Sequence, residues 1–112
     1  MTKRQMLSLS RLRPECVQEY VRLHQQVWPE LLATYRQAGI TQIGCFLNGL
    51  VLIVYSEYES EVYEKAKEAL SRNAVEVRWQ VLMQTLRDPD FEPLTFQEVF
   101  FMSANLNEES AE

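Results

Sequence analysis

Between residues 5 and 12, Leu7 and Leu9 alternate with Ser8 and Ser10, and this period of two predicts a half-buried strand with one apolar face. Pro14 then opens a longer segment in which Val17, Tyr20, Val21, His24, Val27, Trp28 and Leu31 recur at helical spacing. Glu15 lies in its first turn, where the helix dipole favours an acid, and Gly39 suits a C-terminal cap. Pro29 lacks an N–H and crowds the turn before it, so the segment should kink or restart near Trp28. Residues 41–47 and 50–58 are rich in β-branched and aromatic side chains and flank Asn48-Gly49, a pair that favours a tight hairpin turn. The run from Leu50 to Val54 is apolar at both parities, which predicts a central strand covered on both faces. Ser60 begins a polar helix with Val62, Ala66 and Leu70 as its narrow apolar stripe. A further helical stretch covers residues 74–88, with a break near Asn73, and residues 94–102 read as a final strand.

The resulting order, β-α-β-β-α-(α)-β, is the split βαβ, ferredoxin-like pattern of an α+β domain: one antiparallel sheet with helices on one face. Helices on one side leave the other side of an apolar strand such as 50–54 open. The economical cover is a second copy packed sheet to sheet, forming a symmetric dimeric α/β barrel. Residues 1–102 are read as a single domain, and the acidic stretch 103–112 as a disordered tail.

Length and charge narrow the function classes. At 112 residues the chain can bury one hydrophobic core, and its 46% hydrophobic and 24% charged content is that of an ordinary globular protein. A formal charge of −5, with Lys3, Arg4, Arg11 and Arg13 as the main basic cluster, argues against a nucleic-acid partner. Cys16 and Cys45 show neither CxxC nor metal-ligand spacing and are expected to be reduced, buried thiols. No stretch approaches the ~20 apolar residues of a membrane span, and the N-terminus lacks the apolar core of a signal peptide. A cytoplasmic protein is the expectation.

Residues four apart on a helix differ by about 40° in direction, so Tyr20, His24 and Trp28 share a stripe with the apolar positions around them. His24 is the single histidine of the chain and is turned toward the interior. Spacing alone leaves two readings: a core histidine satisfied by one hydrogen bond, or an imidazole and a phenol positioned to exchange protons with a bound molecule.

The run from Pro14 to Leu32, with Tyr20, His24, Trp28, Pro29 and Glu30, resembles the signature of the L-rhamnose mutarotase family, a Tyr-x-x-x-His pair followed by Trp-Pro-Glu. The resemblance continues through Phe46-Leu47, Glu57 and Glu59, Arg78-Trp79 with Met83, and Gln97-Glu98-Val99-Phe100, spanning roughly residues 5–102. It implies a ferredoxin-like domain that dimerises through its sheets and interconverts the α and β anomers of a monosaccharide, rhamnose, without cofactor or metal. His24 would be the catalytic acid–base group, Tyr20 a substrate-contacting phenol and Trp79 an aromatic wall.

Two positions depart from the pattern. Ile43 stands where the family carries a sugar-contacting tyrosine, and Gln80 where it carries a second tryptophan. A hydrogen-bonding phenol is thus replaced by hydrocarbon, and an aromatic surface by an amide. These substrate-binding positions imply a related sugar, or alternatively a non-catalytic sugar- or metabolite-binding domain.

Overall fold

Strand β1 (Lys3–Arg11) lies inside a four-stranded antiparallel sheet in the computed structural model, which describes residues 2–104. The expected acidic tail therefore falls almost wholly outside the described residues. A single 3₁₀ turn over Pro14–Cys16 leads into helix α1 (Val17–His24), and helix α2 (Pro29–Gln37) follows after a break. The expected long helix restarts rather than kinks. Trp28 is extended at ψ 123° and Pro29 occupies the first position of α2, where a missing N–H costs nothing.

Gly39, at φ +91°, carries the chain from α2 into β2 (Ile40–Asn48). A side chain there would be strained, and a Cβ would come within 2.9 Å of Val62. Strand β3 (Val51–Glu59) pairs with β2 through a two-residue loop, Gly49-Leu50, one residue later than the Asn48-Gly49 turn read from sequence. Gly49 at φ +62° is the only positive φ in that loop, so glycine takes the first central position and Asn48 remains in the ladder opposite Val51.

Helix α3 (Ser60–Arg72) and helix α4 (Ala74–Leu86) meet at Asn73, whose side-chain oxygen accepts from the backbone N–H groups of Val75 (2.9 Å) and Glu76 (3.2 Å). Asn73→Ala removes this cap and is expected to lower stability by about 1 kcal/mol, read as a lower denaturant midpoint with unchanged slope.

Sheet order is β2-β3-β1-β4, the ferredoxin-like arrangement, with β3 and β1 central. Residues directly opposite one another share a face. Leu52 and Val54 of β3 therefore look the same way as Leu47 and Cys45 of β2 and Ser10 and Ser8 of β1, and this side carries the helices. Leu12, Tyr20, Leu31, Leu52, Trp79, Met83 and Leu86 form the main core there, while Ala38, Ile40 and Leu70 form a smaller cluster. Leu7 and Leu9 face the opposite way, together with Phe46, Ile53, Leu94 and Phe96. The apolar side of β1 is thus turned away from the helices, and its two serines lie beneath them.

Strand β4 is shorter than expected, Leu94–Phe96 in place of residues 94–102. It pairs only with Leu7, Ser8 and Leu9. Beyond Phe96 the ladder ends because the Glu98 carboxylate, not a backbone carbonyl, accepts from the Gln5 N–H (2.9 Å) and from the Arg4 guanidinium (2.7 Å). Val99, Phe100 and Met102 follow, 89%, 79% and 67% exposed. Among the described residues no helix is long and apolar enough to cross a membrane.

Candidate active site

Between the helix layer and the inner side of the sheet lies a cavity of about 380 Å³. Tyr20 and His24 from α1, Ile43 from β2, and Trp79 and Gln80 from α4 all line it, so the fold brings the five sequence-predicted residues to one place. Two causes bring them together. The i, i+4 spacing sets Tyr20 above His24 on one face of α1, and the alternation of β2 turns Ile43 to the same inner side of the sheet as Cys45 and Val54.

His24, the last residue of α1, is half-buried, and its ring stacks on Tyr20 with centroids 4.1 Å apart and planes inclined by 26°. Trp79 meets the imidazole edge-on at 5.3 Å, and Trp28 meets Trp79 at 5.0 Å. Although Trp28 has left the helix that carries His24, it thus stays in the aromatic cluster. Nδ1 of His24 lies 2.7 Å from the Tyr20 carbonyl oxygen. A carbonyl can only accept, so Nδ1 carries the proton of that bond and Nε2 is left as the basic nitrogen of the neutral ring.

Tyr20 is 5% exposed. Burial pushes its phenol well above the ordinary tyrosine range, and the neighbouring Cys45 thiol adds to the rise, while the Arg87 charge opposes it. Tyr20 is therefore a neutral O–H group, a donor rather than a base. Tyr35, on α2, is likewise raised, first by burial and then by Glu76, to which its hydroxyl donates at 2.6 Å. Gln80 donates its amide to the same Glu76 oxygen at 3.2 Å. Among the described residues no group of three or more His, Cys, Asp or Glu could hold a metal ion.

The two raised phenols have a consequence for stability. A folded-state value above the unfolded one gives stability that is complete below about pH 10, the unfolded tyrosine value, and is lost as pH rises beyond it. Tyr20→Phe is expected to flatten the alkaline fall in stability by up to about 1.4 kcal/mol per pH unit. Melting curves from pH 9 to 11.5 measure it, and identical slopes for parent and variant would contradict the assignment.

Cys45 departs from expectation: it is exposed rather than buried, because β2 is an edge strand and its inner side opens into the cavity. Cys16 is partly buried, and both are free thiols. Tyr35, Glu76 and Arg87 were not singled out in the sequence. Tyr35 had a weak signal in its i, i+4 relation to Leu31, and Glu76 in the same relation to Gln80. Arg87 had none, since it follows the end of α4 and reaches the cavity only through the bridge between Leu12 and Arg87.

The family model described as L-rhamnose mutarotase matches residues 5–102. The L-rhamnose mutarotase of Tolumonas auensis is 30% identical over 101 residues, covering 85% of this chain and 94% of its own. A crystal structure of an L-rhamnose mutarotase from Formosa agariphila is similar with a TM-score of 0.69 at 21% identity, over 89% of this chain and 99% of that one. A dimeric ferredoxin-like protein from an uncultured marine organism is similar with a TM-score of 0.62 at 15% identity, over 91% and 97%. At such identities the structural likeness speaks for the fold. The family match over residues 5–102, on a chain whose five motif positions line one cavity, shows that this protein belongs to the L-rhamnose mutarotase family of isomerases.

Proposed function

We propose that this chain is a mutarotase that interconverts the α and β anomers of L-rhamnose or a related sugar by general acid–base ring opening and closure. The observation that carries the reading is the pairing at the cavity wall: His24 Nδ1 is tied to the Tyr20 carbonyl, and the Tyr20 ring lies against the imidazole. His24 is the catalytic residue. Nε2 takes the proton of the anomeric hydroxyl, and the neutral Tyr20 phenol faces the same cavity as a donor toward the ring oxygen. The C1–O5 bond then breaks to give the open-chain aldehyde. Rotation about C1–C2 followed by return of both protons closes the ring on either face. Each positioned proton-transfer group contributes on the order of 10²- to 10⁴-fold, enough for a reaction whose uncatalysed rate is already appreciable. Trp79 supplies an aromatic wall for the C–H face of the sugar, Gln80 an amide for a hydroxyl, and Ile43 a hydrocarbon rim.

The same reading includes a homodimer joined through the outer sheet face. Phe46, Leu94 and Phe96 are 59%, 50% and 47% exposed there, beside Leu7, Leu9 and Ile53, and no helix of the described residues lies over them. A contiguous apolar sheet face of this kind is rarely left in water. The free thiols at Cys16 and Cys45 fit a reducing compartment, the cytoplasm.

Saturation-transfer NMR between the two anomeric protons tests the activity. Exchange of rhamnose, or of a related sugar, faster than in buffer is the expected result. A survey of aldohexoses, deoxyhexoses and their C6-oxidised counterparts with no acceleration would leave the alternative, a sugar-binding domain without turnover.

A further inference from the structure

Arg87 lines the cavity, yet no carboxylate lies within 4.0 Å of it among the described residues, and its buried Nε has no hydrogen-bond partner. Its neighbours around the cavity do not supply a countercharge. Tyr20 and Tyr35 are protonated phenols, Val27, Leu31 and Val54 are hydrocarbon, and Met83 is an uncharged thioether. A permanently charged guanidinium against such a wall is costly unless something neutralises it. Its planar fork matches a carboxylate through two parallel N–H bonds, a fit that a sugar hydroxyl reproduces only in part.

Another part of the lining has the opposite polarity. Glu76 is not a lining residue but stands behind Tyr35 and Gln80 and accepts from both. With the phenol O–H and one amide N–H committed to that carboxylate, the Gln80 carbonyl and the Tyr35 oxygen are left as acceptors for hydroxyl groups. One wall therefore reads hydroxyl donors, and Arg87 reads an acceptor carrying charge.

We infer that the cavity accepts a hexuronic acid, a pyranose whose C6 is a carboxylate, with Arg87 receiving that carboxylate and the Tyr35–Glu76–Gln80 wall reading ring hydroxyls. The inference rests on the mutarotase reading of the same cavity and narrows its substrate. In a pyranose uronate C1 and the carboxylate-bearing C5 flank the ring oxygen. Tyr20 in turn neighbours both His24, on which it stacks, and Arg87, whose charge acts on its phenol. A uronate thus sets C1 at His24, the ring oxygen at Tyr20 and the carboxylate at Arg87. The volume of about 380 Å³ suits one monosaccharide.

Isothermal titration of the full chain with D-galacturonate against D-galactose, D-glucuronate against D-glucose, and L-rhamnose measures the preference. At least one uronate should bind about 10-fold or more tightly than its hydroxymethyl counterpart, the advantage of a charge-assisted, two-point contact. Arg87→Met should bring the ratio near one, and Arg87→Lys should retain part of it, with melting curves confirming that each variant is folded. Equal affinity for acid and neutral sugar, no binding of either uronate, or a preference that survives in a folded Arg87→Met protein would overturn the inference. Anomer exchange recorded on the same samples separates this outcome from the broader reading. Accelerated rhamnose exchange without uronate preference removes the carboxylate subsite and keeps the mutarotase. An Arg87-dependent uronate preference without exchange keeps the subsite and removes the mutarotase.

Discussion

His24→Ala is expected to slow enzyme-catalysed anomer exchange by about 10²- to 10⁴-fold, the range for removing a positioned acid–base group. The imidazole is held from two sides, by the Nδ1 hydrogen bond to the Tyr20 carbonyl and by the Tyr20 ring against its face. Orientation is therefore part of its contribution, and a histidine elsewhere on the wall would not substitute. The residue is half-buried at the end of a helix, so its loss should leave the fold intact, and an unchanged circular dichroism spectrum separates chemistry from unfolding. Tyr20→Phe removes the donor but keeps the stacked ring, and its loss should be smaller than that of His24→Ala. Added imidazole should restore part of the exchange in the alanine variant. A folded His24→Ala protein that exchanges its sugar as fast as the parent would end the proposed role of His24.

Phe46→Asp is expected to convert a dimer into a monomer, raising the dissociation constant by about 10³-fold or more. In a two-fold interface each substitution occurs twice, and a loss of about 2 kcal/mol per copy at a central aromatic position already amounts to that factor. The choice rests on topology. Phe46 lies across from Ile53, which lies across from Leu9, and the three form a row on the face without helices. Because Phe46 is largely exposed in the single chain, an aspartate there should cost the protomer little. Sedimentation velocity at micromolar concentration reads the result. A parent that sediments as a monomer, or a variant that remains a dimer, would count against the sheet-to-sheet arrangement.

Much of the fold was legible because it depends on local pattern. Alternation marked β1, runs of β-branched and aromatic residues marked β2 and β3, Pro14 and Pro29 marked helix starts through their missing N–H, and the break expected near Asn73 is where that residue caps α4. Where the reading slipped, a partner of another element decided. The hairpin loop moved from Asn48-Gly49 to Gly49-Leu50, the register in which Asn48 pairs with Val51. The final strand stopped at Phe96 because a carboxylate from Glu98 took the place of a ladder carbonyl at Gln5. Neither event has a signature in hydrophobic periodicity.

For the site, the helical interval between Tyr20 and His24 was enough to place both on one face of α1, since four residues on an α-helix return to nearly the same direction. The resemblance to a known motif then turned a core histidine into a candidate base, and it named Ile43, Trp79 and Gln80 from other elements. By itself the sequence thus determined the elements, the stripe that carries Tyr20 and His24, and an apolar β1 face. Tertiary structure decided which way that face points: Leu7 and Leu9 look outward, where a second copy would cover them, and Ser8 and Ser10 look in. Alternation states that a strand has two unlike faces, but only pairing with neighbours and packing of helices choose between them. The same holds for Arg87, whose position on the cavity wall depends on a bridge to Leu12, 75 residues earlier in the chain by their numbering. Contacts across such distances are set by the folded whole, and they supply the charge that distinguishes this cavity.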